Sequence, residues 1–294
     1  MIRPRVASKE SGALKKLIIN ADDFGLDDQV NEGILACHRA GVVTATSCLV
    51  NLPGFEESIA SLVRYPDLDV GLHFNLTWGQ PLCGSRLPRL APGGRFRTKK
   101  GLALALALGR IPEEEIAAEA DAQLARLRAA LGAVSHVDVH QHFHGFRAVF
   151  DGLEAAVLAA QVPFLRCPRE LGATGLAARF LNRAFANRSW PASLRTTDHF
   201  LGLSTTGRPD RERYLRYLAE MKDGLTELMV HPGRPSPGGP YPDRLARARS
   251  DELEILLSED FRRAVLTHSI ELTNFRRMAL ATPTGKGYAS PERT

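Results

Sequence analysis

The sequence predicts an α/β protein, a single-domain (β/α) barrel, closed or nearly closed, with about seven parallel strands. Three observations carry that expectation. Short apolar runs alternate with amphipathic segments along the chain, and strands joined by helices imply parallel pairing through right-handed crossovers. No linker or short-period repeat interrupts the rhythm of the 294 residues. The polar residues able to do chemistry fall at the ends of the apolar runs, and the C-terminal strand ends of a barrel converge on one face.

The elements follow in order. "KKLIIN" (15–20) reads as the first strand through Leu17, Ile18 and Ile19. "DQVNEGILACHRAG" (28–41) is a helix, with Val30, Ile34, Leu35 and Cys37 near helical spacing and Gly41 as its stop. "VVTATSCLVN" (42–51), "FEESIASLVRYP" (55–66) and "DVGLHFNL" (69–76) read as strand, helix and strand. The segment rich in Gly and Pro that follows, 77–101, is either a lid or a binding loop. "PEEEIAAEADAQLARLRAAL" (112–131) is the clearest helix: Pro112 opens it, acids fill its first turn and arginines its last turns, as the helix dipole prefers. "SHVDVHQHF", "VPFLRCP", "TTDHFLGLS" and "ELMVHPG" supply four more strand ends. Residues 1–14 read as an N-terminal extension, 15–277 as the barrel and 278–294 as a disordered tail.

The composition is that of an ordinary globular chain, 44% hydrophobic and 24% charged, enough to bury a full core. The formal charge is +5, yet the basic residues are scattered and no nucleic-acid-binding module is visible, which argues against nucleic acid. Cys37, Cys48, Cys83 and Cys167 are far apart and form no CxxC pair, so reduced thiols and a cytoplasmic location are expected. The N-terminus has no apolar h-region, and "LALALALG" (102–109) is too short to span a bilayer, so no membrane partner is expected. A homodimer is compatible with the chain.

Asp22 and Asp23 sit side by side directly after the first strand, where two anions repel each other. Either they make a turn and cap the next helix, or a cation offsets the repulsion and the pair divides into ligand and base. "HVDVHQHFH" concentrates His136, His140, His142 and His144 at strand alternation, which puts all four on one side if the segment stays extended. Four imidazoles cannot all hold one ion, so some must support the ligating residues or face substrate. His73 in "GLHF" and His231 in "VHPG" carry little weight alone, and His38 and His268 read as surface residues. Asp198 and His199 form either a binding pair or a charged strand terminus. Carboxylate and imidazole ligands suit Zn²⁺, Mn²⁺ or Co²⁺, and less typically Mg²⁺. No G-x-S-x-G elbow, dinucleotide fingerprint or P-loop occurs.

Six motifs in order, "INADDFG", "VTATSCLVN", "GLHFNLTWGQPL", "HVDVHQHFH", "TDHFLGLSTTGR" and "ELMVHPGRP", resemble the YdjC-like carbohydrate deacetylase family, which includes chitooligosaccharide deacetylases. The resemblance spans about residues 15 to 275. It implies a β/α barrel related to the polysaccharide deacetylases and removal of acetyl groups from N-acetylated sugars with one divalent metal, Mg²⁺ or Zn²⁺, with Mn²⁺ or Co²⁺ as further candidates. By position, Asp22 matches the family's catalytic base and Asp23 its metal-binding carboxylate. His73 and His140 match its metal-binding histidines, and His231 more loosely its general acid. Some members carry a third histidine where this chain has Gln141, and an extended strand would point Gln141 away from the His140 face. Substrate contacts are expected from Trp78, whose indole either stacks on a pyranose or packs within its loop, and from His142, His144, Arg166 and Asp198. Arg166 has a surface ion pair as its alternative. Two rival classes stay open: another metal-dependent hydrolase, such as a phosphoesterase or amidohydrolase, and a non-catalytic sugar-binding protein on the same fold.

Overall fold

The computed structural model describes residues 14–186, 188–235, 241 and 243–281. The expected extension and tail therefore lie mostly outside the described residues. The boundary placed at 277 falls inside the last helix, which runs Phe275–Leu280.

Seven parallel strands form one curled sheet. In chain order they are β1 (Lys15–Phe24), β2 (Ala45–Cys48), β3 (Asp69–Phe74), β4 (His136–Val139), β5 (Phe164–Leu165), β6 (His199–Leu201) and β7 (Gly224–Val230). Their spatial order is β5-β4-β3-β2-β1-β7-β6. A short β8 (Glu271–Leu272) pairs with Lys16 and Leu17 of β1, below the point where β2 joins the same edge at Asn20. The two outer strands meet through one bridge: Arg195, just before β6, pairs with Phe164 of β5, and Leu165 N donates to Arg195 O at 3.0 Å. One bridge closes the curl.

Helices α1 (Asp28–Arg39), α2 (Phe55–Leu62), α3 (Lys99–Ala107), α4 (Glu113–Leu131) and α5 (Arg147–Ala159) cover the first half of the sheet. The second half is covered by α6 (Leu176–Ala186), α7 (Arg211–Ala219), α8 (Ala246–Leu257), α9 (Glu259–Thr267) and α10 (Phe275–Leu280). Local chemistry sets their ends. Asp27 caps α1 by accepting from Val30 N at 2.8 Å, so Asp22 and Asp23 are not its cap. Pro112 precedes α4, and Gly132 ends it at φ 82°, a conformation that favours glycine. The apolar run 102–109 lies largely within α3. Among the described residues no helix is long and apolar enough to cross a membrane.

The core divides in two. The larger part packs between strands and helices, through residues such as Leu17, Ile19, Leu72, Val137 and Leu228. Alternate residues of the same strands point into the barrel. There Ile18, Ala45, Phe164, Leu225 and Phe275 form a small apolar plug at the N-terminal strand ends. Above that plug the barrel interior turns polar.

Candidate active site

The site begins with an irregularity in β1. Strand alternation should send Asp22 and Asp23 to opposite faces. Instead the register with β2 shifts between Ala21 and Phe24, and Asp23 takes a left-handed φ of 71°. Such a backbone costs on the order of 1–3 kcal/mol away from glycine, least for Asp and Asn. It brings both carboxylates, each 2% exposed, into one site.

Asp23 Oδ1 lies 3.1 Å from His73 Nε2 and 3.1 Å from His140 Nδ1, and the two ring nitrogens are 3.1 Å apart. One carboxylate and two imidazoles so arranged fit a divalent cation. A triangle with these edges matches one face of the ligand shell of an ion about 2.0–2.1 Å from each donor. Asp23 Oδ1 is buried and has no hydrogen-bond partner, as an oxygen meant for a cation would be. The other oxygen, Oδ2, accepts from Arg249 Nη2 of α8 at 2.6 Å. Burial disfavours the Asp23 anion, but Arg249 and the two histidines outweigh it and hold its carboxyl well below the usual range.

Asp22 is held separately. Arg166 grips both its oxygens, Nη1 to Oδ2 and Nη2 to Oδ1, at 2.7 Å each. The same guanidinium reaches Asp138 Oδ2 and Glu227 Oε1 at 2.8 Å each. Burial would raise the Asp22 carboxyl, and the Arg166 pair overcomes this and lowers it. Glu227 shows the opposite balance. Burial dominates over Arg166, Asp138 and Asp22 add repulsion, and the group is pushed up to about 7. His231 Nε2 stands 3.9 Å from Asp22 Oδ2, and its backbone N donates to Glu252 Oε2 at 2.8 Å.

Several sequence expectations need correction. Residues 140–145 do not stay extended; they coil through a 3-10 turn, with Gln141 and His142 at φ 58° and 56°. The four histidines therefore part company. His136 points down the barrel, with Nε2 3.0 Å from Asn20 Oδ1 and its ring stacked on Phe275. His140 reaches the cation triangle. His142 lies edge-on to Phe200, half-buried, and burial with Arg166 nearby keeps it neutral, well below the usual range. His144 is fully buried against Phe185, faces the Arg166 carbonyl at 3.2 Å and is lowered to about 3 by burial and Arg166. The Arg166 guanidinium lies buried among the carboxylates of Asp22, Asp138 and Glu227 rather than in a surface ion pair. Asp198 belongs to the opposite end of the barrel, where its Oδ2 accepts from Leu225 N at 2.7 Å, and His199 contacts Asp223 O there. Gln141 does not point away from His140 but touches its ring, Nε2 to Nε2 at 3.1 Å.

Trp78 lies beside His140. Its ring centroid is 4.2 Å from that of His140 and 5.8 Å from Tyr241, on which it stacks. Asn75 Oδ1 accepts from Trp78 N at 3.1 Å, and Asn51 and Asn75 both donate to Trp78 O at 2.8 Å. Glu119 of α4 accepts from Leu82 N and Cys83 N, so the first part of the 77–101 segment is pinned rather than loose.

Sequence reading missed Asp138, Glu227 and Arg249. Asp138 bonds His73 Nδ1 and so fixes which ring nitrogen faces Asp23. It shares strand parity with His136 and His140, a signal present in "HVDVH". Arg249 lies 226 residues from Asp23 on a helix face and gave no local signal.

Fold and site together define a parallel β/α barrel with a buried carboxylate–histidine constellation at its C-terminal mouth. A family model described as YdjC-like protein matches residues 16–267. A carbohydrate deacetylase of Mus musculus is 36% identical over 288 residues, covering 87% of this chain and 93% of the mouse protein. A chitooligosaccharide deacetylase of Proteus mirabilis (strain HI4320) is 43% identical over 135 residues, 46% of this chain and 52% of that protein. A crystal structure from Enterococcus faecalis V583, provisionally described as a cellobiose-phosphate cleavage protein, superposes with a TM-score of 0.72 at 27% identity, covering 90% of this chain and 99% of that one. The chain belongs to the YdjC-like family.

Proposed function

We propose that this chain is a carbohydrate deacetylase that hydrolyses the acetamide of an N-acetylated amino sugar or short oligosaccharide, giving acetate and a free amine. The observation that carries the reading is the Asp23–His73–His140 triangle with a second carboxylate, Asp22, directly beside it. The names of the mouse and Proteus relatives supply the substrate class.

Asp23, His73 and His140 would hold one divalent ion, which supplies Lewis-acid activation of a water and of the acetyl carbonyl. The chain's own residues do the rest. Asp22, fixed on both oxygens by Arg166 and kept ionised, accepts the proton of the attacking water. Arg166 thereby limits Asp22 to one orientation. His231, with Nε2 3.9 Å from Asp22 Oδ2, donates a proton to the departing sugar amine, a poor leaving group without it. Asp138 keeps His73 turned toward Asp23. Trp78, held at its backbone by Asn51 and Asn75, offers an indole face to the pyranose.

Metal-loaded protein incubated with N-acetylated mono- and oligosaccharides should release acetate and primary amine in equal amounts. Cleavage at the glycosidic bond with the acetyl group retained, or phosphate release from phosphorylated sugars without acetate, would replace this reading.

A further inference from the structure

We infer that Gln141 is a positioning residue for His140, with a side-chain amide that turns over to match the ring tautomer that cation binding requires. The inference rests on the proposed cation site. His140 presents Nδ1 to Asp23 Oδ1 and His73 Nε2, 3.1 Å from each, so its Nε2 faces away from the triangle. That outer nitrogen meets the Gln141 amide nitrogen at 3.1 Å. The amide oxygen, Gln141 Oε1, is buried and has no partner. Gln141 reaches the ring of its own neighbour because its φ of 58° folds the chain back, a conformation non-glycine residues seldom adopt.

A neutral imidazole carries one N–H and one lone pair. Where the amide N–H donates to Nε2, the ring proton is on Nδ1, which faces His73 Nε2. A cation held by Nδ1 needs the lone pair there, so the proton must move to Nε2. Nε2 then needs an acceptor. A half-turn of the amide brings Oε1 to Nε2–H, and the orphaned oxygen gains its partner. The backbone does not have to move. A primary amide presents donor and acceptor at the same reach, which a thioether does not and which a carboxylate does on the acceptor side only.

Three full-length chains test this: wild type, Gln141→Met and Gln141→Glu, each titrated with Zn²⁺ by calorimetry, with the His140 ring nitrogens followed by ¹⁵N NMR. Gln141→Met should bind Zn²⁺ about 10- to 100-fold more weakly, the usual loss when the partner of a ligating histidine is removed. Gln141→Glu, which keeps an acceptor, should retain wild-type affinity or exceed it. In the wild type, NMR should place the His140 proton on Nδ1 before Zn²⁺ is added and on Nε2 afterwards. These wild-type spectra decide the matter even if the Met variant fails to fold. Equal Zn²⁺ affinity in wild type and a folded Gln141→Met, equal losses in both variants, or a proton on Nε2 before the ion is added would each overturn the role of Gln141 while leaving the cation site standing. A wild type that binds no Zn²⁺, Mn²⁺, Co²⁺ or Mg²⁺ would overturn the cation reading itself, and this inference with it.

Discussion

Arg166 Nη1 and Nη2 hold the two oxygens of Asp22 in a parallel fork, 2.7 Å each, with both side chains almost wholly buried. The guanidinium is the shared counter-charge of Asp22, Asp138 and Glu227. Arg166→Met should therefore destabilise the fold by about 3–5 kcal/mol, the usual result of leaving buried charges uncompensated. Arg166→Lys should fold better but stay well below wild-type turnover, since an ammonium cannot hold both oxygens of Asp22. Denaturant unfolding and turnover, measured on the same preparations, check both.

Asp22→Asn separates the two adjacent carboxylates. Asp23 is the one in the cation triangle, so the variant should keep its metal and lose about 10²- to 10⁴-fold in turnover. Metal content by atomic emission, read beside the rate, checks the division; loss of the ion or near-normal turnover would reverse the roles.

His231 should matter in proportion to how poor the leaving group is. His231→Ala is expected to lose about 10²- to 10⁴-fold on an N-acetyl sugar and far less on an activated acetyl ester, whose leaving group needs no proton. Equal losses on the two substrates would mean that His231 serves the fold or another step.

Glu227 predicts a pH effect on stability. Its folded value, near 7, lies above the ordinary 4.5. The native state therefore keeps a proton that the unfolded chain has released, and stability falls as pH rises across that interval. Burial also raises Asp69, Glu119 and Glu252, so the informative quantity is a difference. His136, His140, His142 and His144, lowered by burial, act with the opposite sign, so the expected result is that the unfolding free energy of wild type relative to Glu227→Gln falls as pH rises from 4.5 to 7. Parallel curves from urea titrations would deny Glu227 its raised value.

The Asn51–Asn75 clasp predicts how Trp78 contributes. Trp78→Ala should raise KM for the sugar and leave metal affinity unchanged, because the indole touches His140 without belonging to the triangle. Asn75→Ala removes two of the three hydrogen bonds that hold the Trp78 backbone and should raise KM in the same direction with the indole present. A change in metal affinity in the Trp78 variant would show the ring supports His140 rather than substrate.

The sequence by itself determined the alternation of strands and helices, because apolar periodicity and capping residues such as Pro112 and Gly132 act over a few neighbours. It also placed Asp22, Asp23, His73, His140 and His231 at strand ends, which parallel topology gathers at one mouth. Tertiary structure alone decided what those residues do there. The bulge at Asp23 overrides strand alternation, and the left-handed turn at Gln141 and His142 scatters four histidines that an extended strand would have aligned. Arg166 reads as a surface or substrate-facing cation until three carboxylates from β1, β4 and β7 are seen to enclose it. Arg249 and Asp23 attract each other across 226 residues of chain. The physical reason is range. Periodicity and capping are set by atoms a few residues apart, whereas the cost of burying a charge is met only by whatever partner the finished fold brings within hydrogen-bonding distance.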